Sequence, residues 1–432
     1  MVAVAMPVVN ARILVPVTRS ETGLRLPGTE KRAVPLLDLQ RQYFSTREEI
    51  LVAIERVCAS QQFVLGPEVE ALEREIAAFV GAKQAVACGS GTDALWLALV
   101  AAGIGTGDKV ITTPFSFFAS ASSIVRAGAE PVFVDVNPET LNLDPEKVRG
   151  AITRRGGRPR PPTPDGGVRG HTNDQNAGRI AAILPVHLYG QCADWDTFQK
   201  VADEFGIPLI EDAAQAIGAK WGDRGAGSLG VSAAFSFYPT KNLSAYGDAG
   251  IVTTLDAARA EHMRRLRNHG SPERYLHTEF GWNARMDAIQ AAVLRVKLKH
   301  INKWNQQRRE RAATYDRLLS QAGLISADSE APMRRIHTSP QAFHVFHQYV
   351  IRTKDGRRDE LRKFLAARGI GTEVYYPTPL HSQPVFAYLG YKEGDLPESE
   401  RAAKEVLALP MFPELTEEEQ RVVVQAISEF YG

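Results

Sequence analysis

The sequence predicts an α/β fold, with a large domain on a mostly parallel sheet and a small α+β domain at the C-terminus. Between about residues 47 and 300, helical patterns alternate with short apolar runs, which is typical of a parallel sheet with helices on both faces. Beyond residue 345, short strands and helices are mixed. A chain of 432 residues is also too long for one small core, which favours two domains.

The same patterns predict the domain boundaries. We expect a large ligand-binding domain at 33–300, and a linking helix with the small domain at 301–432. Residues 1–32 are interpreted as an N-terminal extension without an assigned role, because prolines and polar residues interrupt their apolar character. Residues 153–178 are rich in Pro, Gly, Arg and Asn, which predicts an inserted surface loop. Contact of its arginines with an anionic substrate is the less favoured alternative.

Composition excludes some classes of protein. The net charge of +1 gives no indication of a nucleic acid or an anionic membrane as partner. No run of about 18 apolar residues occurs, so we expect no transmembrane helix. The three cysteines lack the spacing of a metal or redox site, which fits a reducing cytoplasm. We therefore expect a cytoplasmic enzyme without a metal.

A glycine-rich turn connects the first predicted strand to a helix. It reads CGSGTDALWLAL from Cys88, where Ser90 or Thr92 can cap the helix and the glycines allow a ligand to approach the backbone. The free N–H groups of a helix start bind phosphate well. An ordinary strand-to-helix turn explains the pattern equally well.

A second glycine run, GAGSLG at 225–230, matches the dinucleotide-binding pattern G-x-G-x-x-G. It precedes the apolar run SAAFSFY, whereas a dinucleotide site follows a strand and opens a helix. We therefore do not assign a dinucleotide site to it.

Two adjacent acids, Glu211 and Asp212, follow the apolar run IPLI. They lie at the carboxyl end of a predicted parallel strand, the edge where ligands bind in such sheets. Because side chains alternate along a strand, only one of the two faces the crevice. A metal site is weakly supported, since no histidine or third acid lies close by in sequence.

Lys241 follows the apolar run FSFYPT, where a lysine usually extends its amine to solvent. A lysine also forms an imine with an aldehyde, an aspartate keeps a pyridinium nitrogen protonated, and a helix start holds a phosphate. Pyridoxal 5′-phosphate (PLP) carries all three groups. In that case Lys241 is the nucleophile and later a proton carrier.

Six segments carry a family resemblance: SGTDAL, PFSFFASASSI, PVHLYGQ, EDAAQAIGA, FSFYPTKN and GWNARMDAIQAA. Their order resembles that of the DegT/DnrJ/EryC1/StrS family of PLP-dependent nucleotide-sugar aminotransferases. The similarity begins at Val34 and reaches LPMFPELT near the C-terminus. It implies the PLP-dependent transferase fold type I, which is aspartate-aminotransferase-like, and a homodimer.

The resemblance implies roles around the cofactor ring. Lys241 matches the imine-forming lysine, and Asp212 matches the acid under the ring nitrogen. Gln215 matches the position that contacts the 3-oxygen of the ring. Phe117 matches the aromatic residue that stacks on the ring, with Phe118 the less favoured neighbour and core packing the alternative for both.

The resemblance also implies a phosphate site. Gly91 and Thr92 match its backbone donors, and Ser236 matches its hydroxyl donor. Asn283 resembles an asparagine that reaches the phosphate from the other subunit. The active site is then shared across a homodimer interface.

Three further residues are candidates for the substrate side. His187 is expected in the site wall, with core packing as the alternative. Tyr376 and His381 lie in EVYYPTPLHSQPVF and are candidates for contacting the sugar or diphosphate. Packing of this loop on the small domain is the alternative for both.

The reaction that the resemblance implies is a transamination, because a dehydratase branch of the family has histidine at the position of Lys241. We expect L-glutamate as donor and a keto nucleotide-diphosphate sugar as acceptor. The Y-Y-P-x-P-L-H-x-Q motif favours a 3-oxo sugar. Alternatives are a 4-oxo sugar aminotransferase, a PLP-dependent sugar dehydratase or lyase, and a non-catalytic regulatory homologue.

Overall fold

The computed structural model describes residues 34–155, 178–326, 330–354 and 356–432. The predicted extension at 1–32 lies outside these residues, as does 156–177 of the predicted insertion. At the borders of the insertion, a helix runs through Arg154 and a strand begins at Arg179.

The strands are β1 Gln84–Cys88, β2 Asp108–Thr112, β3 Glu130–Phe133, β4 Arg179–Leu184, β5 Ile210–Asp212, β6 Lys220–Trp221, β7 Arg224–Gly225, β8 Ser232–Ser236, β9 Gly250–Thr254, β10 Met333–Arg335, β11 Ala342–Phe343, β12 Tyr349–Thr353 and β13 Val406–Leu409. The α-helices are α1 Leu39–Ser60, α2 Pro67–Val80, α3 Gly91–Ala101, α4 Ala119–Arg126, α5 Pro145–Arg154, α6 Trp195–Phe205, α7 Ala257–Leu266, α8 Ala288–Leu298, α9 Ile301–Gln321, α10 Arg358–Ala366, α11 Pro397–Glu405 and α12 Glu417–Tyr431. Short 3-10 helices span Leu188–Gly190, Leu380–Ser382 and Pro384–Leu389.

The central sheet has the strand order β3-β2-β4-β5-β8-β9-β1. Parallel bridges from Ile183 to Leu209 and from Val186 to Asp212 connect β4 to β5. Strand β9 is antiparallel to both its neighbours, and the other six strands run in one direction. The predicted α/β class with a mostly parallel sheet is confirmed.

Helices cover both faces of this sheet. In β1, Ala85 and Ala87 pack into one core with α1, α2, α5, α6 and α8. Val86 and Cys88 pack into the core on the opposite face, with α3, α4 and α7. Burial on both faces explains why the strands are continuous apolar runs without alternation.

A smaller antiparallel sheet, β10-β12-β13, forms the C-terminal part with α9, α10, α11 and α12. Its core also takes in Phe115, Leu188 and Tyr189 from the first part of the chain. Helix α12 begins with a capping box between Thr416 and Glu419, which fixes its start. The predicted small α+β unit is confirmed, whereas its boundary at residue 300 stays a prediction.

Candidate active site

The candidate residues converge on the carboxyl edge of the central sheet. Asp212 ends β5, Ser236 ends β8, and Gly91 begins α3 directly after the turn that follows β1. Lys241 lies five residues beyond the end of β8. Since these strands are parallel, their carboxyl ends meet at one edge, where open α/β sheets bind ligands.

Asp212 is buried, with 3% of its surface exposed. Its Oδ2 accepts a hydrogen bond from the Ser120 hydroxyl at 2.7 Å, and its Oδ1 accepts the backbone N–H of Ala214 at 3.2 Å. Burial raises the pKa of this carboxyl, while the two hydrogen bonds and the charge of Lys241 oppose the rise. The carboxylate therefore has capacity for a further donor.

Glu211 points to the opposite face of β5, as alternation along a strand requires. Its carboxylate is fully buried and accepts the N–H groups of Gly227 at 2.8 Å, Leu229 at 2.9 Å and Gly230 at 2.8 Å. His187 Nε2 lies 3.1 Å from the same carboxylate. The glycine run at 225–230 is thus a loop held by Glu211.

His187 is fully buried beside Glu211. Its Nδ1 accepts the backbone N–H of Ala193 at 3.1 Å, so Nε2 carries the proton that is donated to Glu211. The ring also packs edge-on against Trp195. Because both ring nitrogens are engaged within the protein, we favour core packing over the substrate contact expected for His187.

Lys241 is half-buried, and its backbone N–H donates to the carbonyl of Tyr238 at 2.8 Å. Burial lowers the pKa of its amine to about 8, against the opposing effect of Asp212. Among the described residues, Nζ has no hydrogen-bond or ion-pair partner. An amine with a pKa of about 8 has a substantial neutral fraction near that pH and is a competent nucleophile.

Gly91 and Ser236 lie in direct contact. A Cβ on Gly91 would lie 2.6 Å from the Cβ of Ser236, so no larger residue fits without a shift. The hydroxyl of Ser90 caps α3 by accepting the N–H of Asp93 at 3.1 Å. Within the described part of the chain, the N–H groups of Gly91 and Thr92 have no acceptor, as is usual at a helix start.

The two neighbouring phenylalanines differ in exposure. Phe118 packs against Phe386, with ring centroids 5.7 Å apart. Phe117 is 64% exposed and has no aromatic partner among the residues that the structure describes. Its ring is therefore available to stack on a ligand.

The side-chain amide of Gln215 is oriented by two contacts. Its Oε1 accepts the N–H of Tyr189 at 2.6 Å, and its Nε2 donates to the Tyr376 hydroxyl at 2.7 Å. Tyr189 and Tyr376 both have positive φ, and their rings are parallel to within 5°. Strained backbone of this kind is concentrated at functional sites. Tyr376 also lies near Asp212, whose charge adds to burial in raising the pKa of the tyrosine.

His381 has a different environment. Its Nε2 lies 3.1 Å from Glu400 Oε1 and 3.2 Å from Ser382 Oγ. The side chain lines a separate cavity of about 360 Å³ together with Tyr391 and Lys404. The structure thus brings Tyr376, but not His381, into hydrogen-bonding contact with the residues around Asp212.

Asn283 is exposed, and its backbone pairs with that of Asn268. The next residue, Ala284, accepts the N–H of Gly89 at 3.0 Å, which places this segment beside the turn before α3. The expected contact with the phosphate of a second subunit stays a prediction.

Two side chains that the sequence did not indicate lie next to the candidate residues. Ser120 contacts Asp212, as described above. His347 Nδ1 lies 3.1 Å from Oδ1 of Asn242, the residue after Lys241. Burial, then the charges of Lys241 and Arg308, hold the pKa of His347 well below its usual range, so the ring is neutral. Ser120 lies within the quoted PFSFFASASSI segment, whereas no sequence signal pointed to His347.

The residues at this edge fit a phosphorylated pyridine aldehyde. Asp212 has an acceptor for a ring N–H, and Lys241 has a free amine for the aldehyde. The contact between Gly91 and Ser236 leaves no space for a Cβ beside the free N–H groups, which suits a phosphate. The donor set therefore fits PLP.

Comparison with known proteins agrees with this chemistry. Residues 45–428 match the sequence model of the DegT/DnrJ/EryC1/StrS aminotransferase family. The chain is 50% identical over 400 residues to a pleiotropic regulatory protein of Geobacillus stearothermophilus, covering 92% of this chain and 98% of that protein. It is 41% identical over 401 residues to a dTDP-3-amino-3,4,6-trideoxy-alpha-D-glucose transaminase of Streptomyces venezuelae, covering 93% and 97%.

A solved structure has the same fold. The chain is similar to S. venezuelae DesV in complex with a ketimine intermediate, with a TM-score of 0.81 and 42% identity. The match covers 92% of this chain and 98% of that one.

Proposed function

Because the chain belongs to the DegT/DnrJ/EryC1/StrS aminotransferase family, and is thus an aminotransferase, we propose that it transfers the amino group of L-glutamate to a 3-oxo nucleotide-diphosphate sugar. PLP is the proposed cofactor. The observation that carries the proposal is that Lys241, whose amine has a lowered pKa, and the buried Asp212 lie at the same edge of the sheet. The product name of the S. venezuelae relative, a 3-amino sugar, supports attack at carbon 3.

The proposed roles follow from the contacts. When bound, PLP supplies an electrophilic aldehyde and a protonated ring that withdraws electrons. Asp212 holds the ring N–H, and Phe117 covers one ring face. Lys241 Nζ would hold the aldehyde end of the cofactor and would accept the proton from the α-carbon of the donor.

The phosphate and the substrate are assigned to other residues. Gly91, Thr92 and Ser236 bind the phosphate, and the amide of Gln215 is directed towards the 3-oxygen of the ring. We assign Tyr376 to the sugar, because its hydroxyl lies in this cluster. The cavity that His381 lines is separate, so a contact of His381 with the diphosphate rests on the family resemblance alone.

The proposed active site is completed by Asn283 of a second copy of the chain. Support comes from the exposure of Asn283 and of the nearby apolar side chains Tyr275, Phe280 and Trp282, which are 83%, 97% and 56% exposed. Mixing inactive Lys241→Ala with inactive Asn283→Ala protein tests the sharing. If sites are shared, mixed dimers contain one intact site and recover part of the activity, whereas unshared sites recover none.

The central experiment is a half-reaction with the PLP-loaded protein. Addition of L-glutamate is expected to change the visible absorbance of the bound cofactor, and one equivalent of 2-oxoglutarate should be released per site. Lys241→Ala is the inactive control. Nucleotide-linked 3-oxo and 4-oxo sugars are then compared for restoring the original absorbance. Restoration by 4-oxo sugars alone would overturn the assignment to carbon 3.

Two other outcomes would favour the alternatives. Release of ammonia without an amino acceptor indicates a dehydratase or lyase. The absence of any half-reaction, with no effect of Lys241→Ala in cells, indicates a regulatory homologue, in line with the name of the G. stearothermophilus relative.

A further inference from the structure

We propose that Ser120, supported by Ser116, is a positioning residue that keeps Asp212 ionised and oriented towards the cofactor. This inference rests on the proposed function. The Ser116 and Ser120 hydroxyls lie 2.8 Å apart, and Ser120 Oγ lies 2.7 Å from Asp212 Oδ2. The three residues are 4%, 1% and 3% exposed, so solvent does not replace these contacts.

The direction of these hydrogen bonds is fixed by chemistry. An ionised carboxylate only accepts, so Ser120 donates its single hydroxyl proton to Asp212. Ser120 then has only lone pairs for Ser116, which must donate its own proton to Ser120. The two hydroxyls form a one-way chain of donors that ends on the carboxylate.

Asp212 depends on this chain because it has few other donors. Burial disfavours its charged form, and within the described residues the only other hydrogen bond to its carboxylate comes from the N–H of Ala214 at 3.2 Å. Without Ser120, Oδ2 would be a buried acceptor without a donor, and protonation would relieve it. A neutral Asp212 cannot balance a cationic ring nitrogen.

The placement of Ser120 on α4 connects it to the rest of the site. The N–H of Ser120 donates to the carbonyl of Phe117 at 3.1 Å, and the hydroxyl of Ser123 donates to the carbonyl of Thr92 at 3.2 Å. Ser120 and Ser123 are spaced by three residues and share one face of α4, and Phe117 lies two residues before the start of that helix. This face therefore contacts the candidate residues for the ring face, the ring nitrogen and the phosphate.

The first test uses the cofactor-free protein and compares Ser120→Ala with Ser122→Ala, a matched control on the same helix. The titratable groups that act electrostatically on Asp212 are Lys241, His187 and Tyr376. Because the folded-state pKa of Asp212 is raised, its buried charge lowers stability most at pH values above that pKa, and this cost disappears as pH falls to the unfolded-state pKa of an aspartate, about 3.9. Ser120→Ala should therefore lower Tm more than the control at neutral pH, and this difference should vanish as pH falls through the pKa of Asp212.

The second test uses the PLP-loaded protein and the L-glutamate half-reaction. In Ser120→Ala, loss of a charge-assisted hydrogen bond is expected to decrease the acid dissociation constant of Asp212 by about tenfold. The acid limb of the pH–rate profile then moves to higher pH. Ser116→Ala should give a smaller displacement, and Ser120→Thr, which keeps the hydroxyl, should restore the original profile.

The outcomes separate this inference from the proposed function. A Tm deficit of Ser120→Ala that is the same at every pH, or that persists in an Asp212→Asn background, would overturn it, because both indicate packing alone. Ser120→Ala can also show a pH-dependent Tm deficit while the wild-type protein lacks the half-reaction. This outcome supports the Ser120–Asp212 connection and overturns only the aminotransferase assignment.

Discussion

Glu211 and Asp212 are adjacent in sequence and similar in chemistry, yet they lie on opposite faces of β5. Glu211 accepts four hydrogen bonds, all from groups of the chain. The carboxylate of Asp212 accepts two, and burial raises its pKa. A buried carboxylate with all its donors supplied holds a structure together, whereas one with spare acceptor capacity beside a lysine is suited to a ligand.

The strongest way to break this comparison is to neutralise Asp212. Asp212→Asn should slow the L-glutamate half-reaction by about 10²–10³-fold or more, because a preorganised charge at the reacting group is lost. The free energy of unfolding should change by only about 1 kcal/mol, since the lost hydrogen bonds are offset by removal of a buried charge. Stopped-flow absorbance and urea denaturation measure the two effects. A half-reaction of wild-type rate would show that Asp212 does not serve the cofactor.

The converse substitution is Glu211→Gln. The NH2 group of the introduced Gln side chain would face loop N–H groups that also donate. The free energy of unfolding should therefore decrease by about 3 kcal/mol. Urea denaturation of the cofactor-free protein measures this, with exposed Glu70→Gln as the control. The folded fraction should carry out the half-reaction within a few-fold of wild type, and a loss as large as that of Asp212→Asn would contradict the division of roles.

The pH response of Lys241 sharpens the comparison. In the cofactor-free protein, acetylation of Lys241 should increase with pH through about 8, because burial lowers the pKa of its amine. Asp212→Asn should lower that pKa further, because a neighbouring negative charge favours the ammonium form. The acid dissociation constant of Lys241 should increase by about tenfold. Glu211→Gln should leave it unchanged. Competitive labelling read by mass spectrometry follows Lys241, with exposed Lys303 as internal reference.

The smallest effect is expected at His187. His187→Gln keeps a donor for Glu211 but removes the acceptor for the N–H of Ala193, which should decrease the free energy of unfolding by about 1 kcal/mol. The rate of amino transfer to the sugar should stay within about twofold of wild type. A tenfold rise in KM for the sugar would return His187 to the substrate site.

The sequence was sufficient for the fold class because helical and apolar patterns alternate over most of the large domain. It was also sufficient to place Asp212 and Lys241 at one sheet edge, since parallel strands end on the same side. It was not sufficient for Ser120, His347 or the partners of Glu211, because these contacts join residues that lie between 16 and 105 positions apart in the sequence. The separate cavity of His381 depends likewise on how residues 380–404 pack.

The hydrogen bonds of Glu211 have a consequence for cofactor uptake. All their donors belong to the chain, so the end of β5 is fixed on its rear side before any ligand arrives. Asp212 shares that backbone and is presented in a preset position. Little binding free energy is then lost to ordering the strand, and loading of the apoprotein depends on access to the sheet edge.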